Sequence, residues 1–167
     1  MEMSTAQNTW RQWVSEHAPK LLLFARQQTR SEADAQDLVQ ESVVEAWQRQ
    51  SSDSPPPLPL VFATIHRRAI DLARRQDRRT HRELAAMQTR TEVWFDARLE
   101  DRELGQLIQG AMNRLPEAYR EVLSLKVWGE LTFAEIAVVL GIPANTAASR
   151  YRYGLAELRK LTKEVLT

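Results

Sequence analysis

The amino-acid sequence predicts an all-α protein made of two small helical domains joined by a linker. Glycine is scarce, with 5 in 167 residues, and apolar residues recur at spacings of three and four without the alternation expected of β-strands. The length alone leaves open whether the chain forms one domain or two. The two-domain prediction rests on a weakly patterned acidic segment near the middle, which separates two segments of strong helical periodicity.

Composition limits the classes of protein to which the chain can belong. With 43% hydrophobic and 27% charged residues, it is expected to fold in water. The longest apolar run, Leu21–Ala25, is much shorter than the roughly 20 residues that a transmembrane helix needs. The polar segment Met1–Asn8 lacks the apolar core of a signal peptide, so we expect a cytoplasmic protein without membrane insertion. The absence of cysteine excludes disulfides and thiolate zinc sites.

Charge is unevenly distributed, although the formal net charge is only +1. Between Arg67 and Arg82 the chain carries seven arginines against two aspartates, whereas Glu and Asp dominate residues 92–103. A basic segment of this kind is typical of a nucleic-acid surface, but it is also found on helix faces that are merely solvated.

The first domain, residues 1–82, is predicted to contain three helices. They lie at about Thr9–Arg30, from after Ser31 to about Gln50, and at about Leu60–Arg79. Ser31, with Asp34 three residues on, resembles a capping box at the start of the second helix. Pro19 should kink or split the first helix, and Met1–Asn8 should be frayed. Ser51–Pro59 should form a stiff loop, because proline lacks the amide proton that a helix interior requires. The third helix should bury Phe62 and turn its arginines outward, which gives it a cationic face.

An acidic linker, residues 83–101, is predicted to carry Trp94 and Phe95 as exposed or docking aromatic side chains. The second domain then occupies residues 102–167. Its first two helices are expected to end at Arg114 and to span Glu117–Trp128, respectively.

A helix-turn-helix motif is predicted within the second domain. Thr132 and Glu135 form a capping box before a short apolar helix, and Gly141 supplies the tight turn to a second helix opened by Pro143. The outward face of that second helix can enter a DNA major groove and contact base edges and phosphates. A short αα-hairpin in a helical bundle is the alternative, since such caps and glycine turns are common in helical proteins.

The first domain resembles region two of the extracytoplasmic-function sigma factors, which are short members of the sigma-70 family. The stretch Ala35–Glu41, followed by Ala46-Trp47, is similar to the family's region 2.2 motif. This implies contact with the clamp helices of the largest RNA polymerase subunit, through Asp37, Leu38, Gln40 and Glu41. The segment Ile65–Arg75 resembles the helix that engages and opens the promoter's minus-ten element. The predicted DNA-contact residues are His66, Arg67, Arg68, Asp71, Arg74 and Arg75 on this segment, together with Phe62 three residues before it, which could stack on an unpaired base.

The second domain resembles region four of the same family. The resemblance is carried by Leu115-Pro116, Tyr119–Val122 and Thr132–Arg152. It implies contact with the polymerase flap and recognition of the minus-thirty-five element by the second helix of the motif. The residues implied in DNA recognition are Asn145, Thr146, Ser149, Arg150 and Arg152. The chain departs from the family at Ala148, which is usually Lys or Arg, and at Gly154, which replaces alanine at a cost of about 1 kcal/mol in helix propensity.

The resemblance implies a sigma factor that directs core RNA polymerase to particular promoters, performs no covalent chemistry and needs no cofactor or metal. Its implied partners are core RNA polymerase, promoter DNA and an anti-sigma factor. One alternative is a stand-alone helix-turn-helix regulator that dimerises on two half-sites, and another is a protein whose two halves make only protein contacts. An enzyme is the least favoured hypothesis, because His17, His66 and His81 lack metal-ligand spacing and phosphate-loop or nucleophile motifs are absent.

Overall fold

The computed structural model describes residues 2–50, 54–83 and 102–166, and within these residues the chain forms seven helices and no strand. The all-α prediction is therefore confirmed. The chain divides into two compact units, Met1–Glu92 and Val93–Thr167. Trp94, Phe95 and most of the predicted linker lie outside the described residues.

The first unit is a bundle of three helices that pack against one another. They are α1 (Glu2–Gln28), α2 (Glu32–Gln48) and α3 (Leu58–Glu83). All three contribute fully buried side chains to an apolar core. These include Leu21, Ala25, Ala35, Ala46, Phe62 and Ile65. Burial of each large apolar side chain contributes about 1.5–3 kcal/mol, so this core is the main source of the unit's stability.

Helices α1 and α3 each accommodate a proline that was expected to interrupt or precede the helix, and α1 begins earlier than predicted. Helix α1 continues through Pro19 rather than splitting there. Both Pro19 and Ser15, whose carbonyl loses its amide donor, are exposed, so water can replace the missing hydrogen bond. Helix α1 also begins at Glu2, so most of the segment predicted to be frayed is helical. Helix α3 begins at Leu58 with Pro59 in its first turn, where the absent amide proton costs no hydrogen bond.

The corner between α1 and α2 is fixed by a bidentate ion pair. Ser31 caps α2 as predicted, and its hydroxyl accepts a hydrogen bond from the Asp34 amide at 3.1 Å. Arg26, with only 9% of its side chain exposed, donates from Nε and Nη2 to the two carboxylate oxygens of Glu32, each at 2.9 Å. This hydrogen bonding lowers the pKa of Glu32 from its usual 4.5, against the opposing effect of burial.

Replacing Glu32 with glutamine is expected to lower the free energy of unfolding by about 1 kcal/mol at neutral pH, a figure reduced for the solvent exposure of this carboxylate. Because its pKa is depressed in the folded state, the stabilising contribution of Glu32 is present above pH 4.5 and is lost as the pH falls through the folded-state value. Urea unfolding at a series of pH values measures the effect. The native chain should lose stability on acidification more steeply than Glu32→Gln, and equal acid sensitivity would contradict the assignment.

The second unit consists of four helices, of which the last packs against the other three. They are α4 (Arg102–Arg114), α5 (Glu117–Val127), α6 (Phe133–Leu140) and α7 (Ala144–Leu166). The core contains buried side chains from every helix. These include Met112, Val122, Leu125, Ile136 and Ala147. Helix α5 ends one residue before the predicted Trp128, which serves as its C-cap.

The predicted helix-turn-helix is present, formed by α6, the turn at Gly141 and α7. Thr132 Oγ1 accepts a hydrogen bond from the Glu135 amide at 3.2 Å, and the Glu135 carboxylate accepts one from the Thr132 amide at 2.9 Å, so the capping box is complete. Gly141 ends α6 with a φ of 67°, in the left-handed region that glycine adopts without strain. Pro143 precedes α7, and its carbonyl accepts from the Ala147 amide at 3.0 Å.

Gly154 lies where α7 packs closely on α5, and this contact explains the departure from alanine. A Cβ atom at this position would lie 3.0 Å from Tyr119 Cβ and 3.3 Å from Leu123 Cδ1. We expect Gly154→Ala to lower the free energy of unfolding by about 1 kcal/mol, because crowding against a Cβ fixed to the backbone outweighs the gain in helix propensity. Chemical unfolding measures the change, and a more stable variant would show that propensity dominates.

Candidate functional site

A polar cleft lies along the exposed side of α2, and we call it the α2 cleft. It is lined by Asp37, Gln40, Glu41, Val44, Glu45, Gln48 and Arg68. Its α2 members recur at spacings of three and four, which places them on one helix face. The predicted contact residues Asp37, Gln40 and Glu41 are all exposed there. The fourth, Leu38, is only 4% exposed and belongs to the core, so it offers almost no surface to a partner in this structure.

An apolar groove between α1 and α2 adjoins the α2 cleft, and the sequence analysis did not identify it. The groove is lined chiefly by Trp10, Trp13, Leu22, Val39, Val43 and Val44. Gln40 and Val44 line both the groove and the cleft. The Trp10 ring is supported edge to face by Trp47, with centroids 4.4 Å apart. The signal available in the sequence was the adjacent pair Val43-Val44, because two neighbouring residues of a helix cannot both face its core. Val43 is buried, and Val44 is 46% exposed.

The exposed side of α3 carries the predicted basic residues, and we call it the α3 cationic face. Arg67, Arg74 and Arg75 are exposed on it, with Asp71 among them. His66 and Arg68 are half-buried. These positions bring the predicted DNA-contact residues of the first unit onto one helix surface, with the exception of Phe62.

Phe62 lies in the core instead, with 0% of its surface exposed. Its ring packs edge to face on Phe24, with centroids 5.5 Å apart. An unpaired base cannot stack on a ring that has no accessible face. Contrary to its prediction as a DNA contact, Phe62 offers no surface to DNA in this structure, and its apolar spacing with Ile65 and Ala69, both buried, accounts for its position in the core.

Ion pairs join the α3 cationic face to the α2 cleft. Glu45 binds Arg67, lies 3.4 Å from Arg68 Nε, and also lies 3.6 Å from Arg49 one turn along α2. Glu41 Oε2 lies 3.0 Å from Arg68 Nη1. Burial raises the pKa of Glu45, but the charges of Arg67 and Arg68 outweigh burial and lower it from the usual 4.5. Glu45 was not predicted as a site residue. Its position four residues after Glu41 places it on the same face of α2, and this spacing was visible in the sequence.

The far half of α3 is held against the corner between α1 and α2. Arg30 Nη2 lies 2.5 Å from Asp77 Oδ1, and Gln76 Nε2 donates to Asp34 Oδ2 at 3.0 Å. Asp77 is one of only two aspartates between Arg67 and Arg82, and its charge is already paired with Arg30. The positive charge of the neighbouring arginines on α3 is therefore little reduced by it.

The first turns of α7 present the second predicted DNA surface. Its predicted contact residues are exposed or half-buried there, namely Asn145, Thr146, Ser149, Arg150 and Arg152. The fully buried Ala147 anchors this part of the helix, and Tyr151 packs on Phe133 with ring centroids 5.6 Å apart. The Arg152 guanidinium lies 5.5 Å from the centroid of the exposed Tyr153 ring. Amide, hydroxyl and guanidinium groups on one face can bind base edges and phosphates.

The histidines do not form a metal site in the described part of the chain. There, no group of three or more His, Asp or Glu side chains is placed to hold a metal ion. His17 instead packs against Trp13, with ring centroids 5.2 Å apart, and His66 lies on α3. The side chain of His81 lies outside the described residues. Among the described helices, none has both the length and the apolar character needed to cross a membrane.

Each unit matches a family model. Residues 13–79 match sigma-70 region 2, and residues 105–165 match sigma-70 region 4. The first match contains the α2 cleft and the α3 cationic face, and the second contains the helix-turn-helix. The two matches together cover most of the chain.

Curated relatives are similar over nearly the whole chain. RNA polymerase sigma factor SigV of Bacillus subtilis is 27% identical over 157 residues, which is 92% of each chain. The ECF RNA polymerase sigma factor RpoE of Cereibacter sphaeroides is 28% identical over 150 residues, 86% of this chain and 80% of that one. The ECF RNA polymerase sigma factor SigL of Mycobacterium tuberculosis is 29% identical over 153 residues, 90% and 86% of the two chains.

Two solved structures share the fold. The sigma factor RpoE, solved in complex with the anti-sigma factor NepR from Bartonella quintana, aligns with a TM-score of 0.76 at 21% identity over 92% of this chain and 96% of that one. CnrH, solved in complex with the cytosolic domain of CnrY, aligns with a TM-score of 0.62 at 22% identity over 97% and 94% of the two chains. At these identities the likeness establishes the fold.

Proposed function

The chain belongs to the sigma-70 family as an RNA polymerase sigma factor of the extracytoplasmic-function type. We propose a task in promoter recognition for each of the three surfaces described above. The α2 cleft binds core polymerase, the α3 cationic face engages the minus-ten element, and the start of α7 recognises the minus-thirty-five element. The observation that carries the assignment is that each surface lies within the matched region to which the resemblance assigns that task. Binding and positioning suffice for all three tasks, so none of them requires a catalytic residue. We propose the cytoplasm as the place of action, because core polymerase, the proposed partner, acts there.

The proposed polymerase contact combines polar and apolar surface. Asp37, Gln40 and Glu41 supply exposed carboxylate and amide groups, which steer and orient a basic partner surface. The adjoining apolar groove, which shares Gln40 and Val44 with the cleft, supplies area that is dehydrated on binding. An apolar centre with a polar margin is the usual composition of a stable protein interface. This supports the clamp helices of the largest polymerase subunit as the partner.

The proposed minus-ten contact is electrostatic in the main. Arg67, Arg74 and Arg75 are exposed, and each can pair with a phosphate and release a condensed counterion. With Phe62 in the core, the half-buried His66 ring and the planar guanidinium groups are the groups on this face that can stack on an unpaired base. Opening of the duplex would therefore depend on capture of the single strand by these side chains.

The proposed role of α7 predicts two kinds of loss. Ser149→Ala with Arg150→Ala should weaken binding of the reconstituted holoenzyme to a promoter about 10- to 100-fold and relax its preference at the minus-thirty-five element, because base contacts carry sequence information. Lys160→Ala, at a side chain that is 72% exposed near the end of α7, should weaken binding slightly and equally for all sequences. Binding to a panel of minus-thirty-five variants measures both. An equal loss across the panel for the double variant would contradict base recognition.

An anti-sigma factor is proposed as a further partner. Of the two solved structures described above, the Bartonella quintana sigma factor RpoE is bound to the anti-sigma factor NepR, and CnrH is bound to the cytosolic domain of CnrY. Because the α2 cleft and its groove offer accessible surface in the described part of the free chain, a competitor could block polymerase binding there. A purified candidate partner should prevent association of the chain with core polymerase, and simultaneous binding of both would contradict this mode of regulation.

The match to sigma-70 region 2 also favours a sigma factor over a stand-alone helix-turn-helix regulator. A stand-alone helix-turn-helix regulator has no need of a polymerase-binding surface, yet residues 13–79 match sigma-70 region 2. A regulator of that kind commonly dimerises to bind two half-sites. The proposed sigma factor should instead be a monomer that binds core polymerase in equal proportion, which sedimentation measures.

A further inference from the structure

We propose that Glu45 is a further determinant of DNA selection, because its carboxylate, together with that of Glu41, withholds Arg67 and Arg68 from sequence-independent binding to phosphates. The inference rests on the proposed function, since it takes the α3 cationic face to be a DNA-binding surface. Glu45 would weaken sequence-independent DNA binding, whereas the arginines around it strengthen that binding.

The geometry places one carboxylate within reach of three guanidinium groups. The side chain of Glu45 is 22% exposed, and its oxygens bind Arg67, approach Arg68 Nε at 3.4 Å and approach Arg49 at 3.6 Å. Glu41, one turn earlier on α2, takes the other side of Arg68 at 3.0 Å. The two carboxylates thus occupy the two arginines of the α3 cationic face that lie nearest to α2.

A carboxylate and a phosphate compete for the same guanidinium donors, because both present paired oxygens to the planar fork of arginine. An arginine that stays bound to Glu45 contributes little to counterion release when DNA approaches. Sequence-independent affinity consists almost wholly of that term. This matters for a promoter-selective protein, since other DNA competes in large excess.

The pairs are weak enough to be exchanged. The guanidinium-bearing side chains of Arg67 and Arg68 are 47% and 34% exposed, and ion pairs in such positions contribute little net stability. Glu45 therefore sets a threshold for phosphate binding rather than abolishing it. The neighbouring Arg74 and Arg75, which face solvent farther along α3, are not under this control.

The test is sequence-independent duplex binding by the full chain as a function of salt. Glu45→Gln keeps the size of the side chain and removes its charge, and the matched control Glu16→Gln removes one charge from an exposed position on α1. Near 0.1 M salt, Glu45→Gln is expected to bind about five- to tenfold more tightly than the native chain, with a plot of log affinity against log salt that is steeper by about one. Glu41→Gln removes only one of the two carboxylates near Arg68 and leaves Arg67 paired with Glu45, so it should give a smaller gain.

A mutant cycle that combines Glu45→Gln with arginine substitutions tests whether Glu45 acts through Arg67 and Arg68. In a chain that also carries Arg67→Ala and Arg68→Ala, the gain from Glu45→Gln should disappear. A Glu45→Gln variant that matches Glu16→Gln, or that binds more weakly than the native chain, would overturn the proposal. Circular dichroism of each variant excludes unfolding as the cause of a loss.

Failure of the inference and failure of the proposed function give different results. If the α3 cationic face does not bind DNA, Arg74→Ala with Arg75→Ala will leave promoter binding by the holoenzyme unchanged. If only the inference fails, that arginine variant will lose promoter binding while Glu45→Gln still behaves as Glu16→Gln does.

Discussion

Replacing Phe62 with alanine is expected to lower the free energy of unfolding of the first unit by about 3–5 kcal/mol. The ring has no exposed surface and packs on Phe24 at the centre of the three-helix bundle, so its removal leaves a cavity that the neighbours cannot fill. A loss of this size is a large part of the roughly 5–15 kcal/mol that stabilises a typical domain. Urea unfolding followed by far-ultraviolet circular dichroism measures the change.

Two further variants control for this interpretation. Phe62→Leu keeps most of the apolar volume and should lose no more than about 1.5 kcal/mol. Ile70→Ala removes an apolar side chain from the same helix at a position that is 39% exposed, so it should lose far less than Phe62→Ala. If Phe62→Ala were as stable as the native chain but failed to support promoter opening, the ring would serve DNA and the core assignment would be wrong.

The double variant Asp37→Ala with Glu41→Ala is expected to weaken binding to core polymerase by about 30-fold or more, corresponding to about 2 kcal/mol. Both carboxylates are exposed in the α2 cleft and make no contribution to the core, so the fold should remain intact. Charged groups at the margin of an interface steer and orient the partner, so the loss of two on one helix face should weaken binding more than the loss of either one.

Titration of labelled chain with core polymerase measures this affinity. The matched control is Glu16→Ala with Glu117→Ala, which also removes two exposed carboxylates, neither of which lines the α2 cleft. An equal loss in the control would mean that net charge, rather than the cleft, governs binding. Because Glu41 also pairs with Arg68, DNA binding by the variant has to be measured separately from its binding to polymerase.

Local signals in the sequence predicted most of the fold. Ser31, Thr132 and Gly141 mark helix ends through hydrogen bonds and backbone geometry that involve only neighbouring residues, and the structure confirms all three. The proline predictions were less reliable because the effect of a proline depends on its position and exposure. Pro19 lies on the solvent side of α1, and Pro59 lies in the first turn of α3.

The candidate site was predicted in parts. Periodicity and resemblance identified residues of the α2 cleft and the α3 cationic face. For Phe62 the two disagreed, because its helical spacing predicted burial while it was also a candidate for base stacking. The structure buries Phe62, in agreement with the spacing. The pairing of Glu45 with Arg67 was not predictable from one sequence. A helical pattern gives the faces of α2 and α3 but not which faces meet across 22 residues of chain.

Transcription by core polymerase reconstituted with this chain is the most direct test of the sigma-factor function. On a pool of genomic fragments from the source organism, the chain is predicted to associate with core polymerase and to start transcripts from a small, reproducible set of sites. The Asp37→Ala, Glu41→Ala variant should fail at the same protein concentration. A chain that does not associate with core polymerase, but binds DNA as a dimer on its own, would contradict this function and indicate a stand-alone regulator.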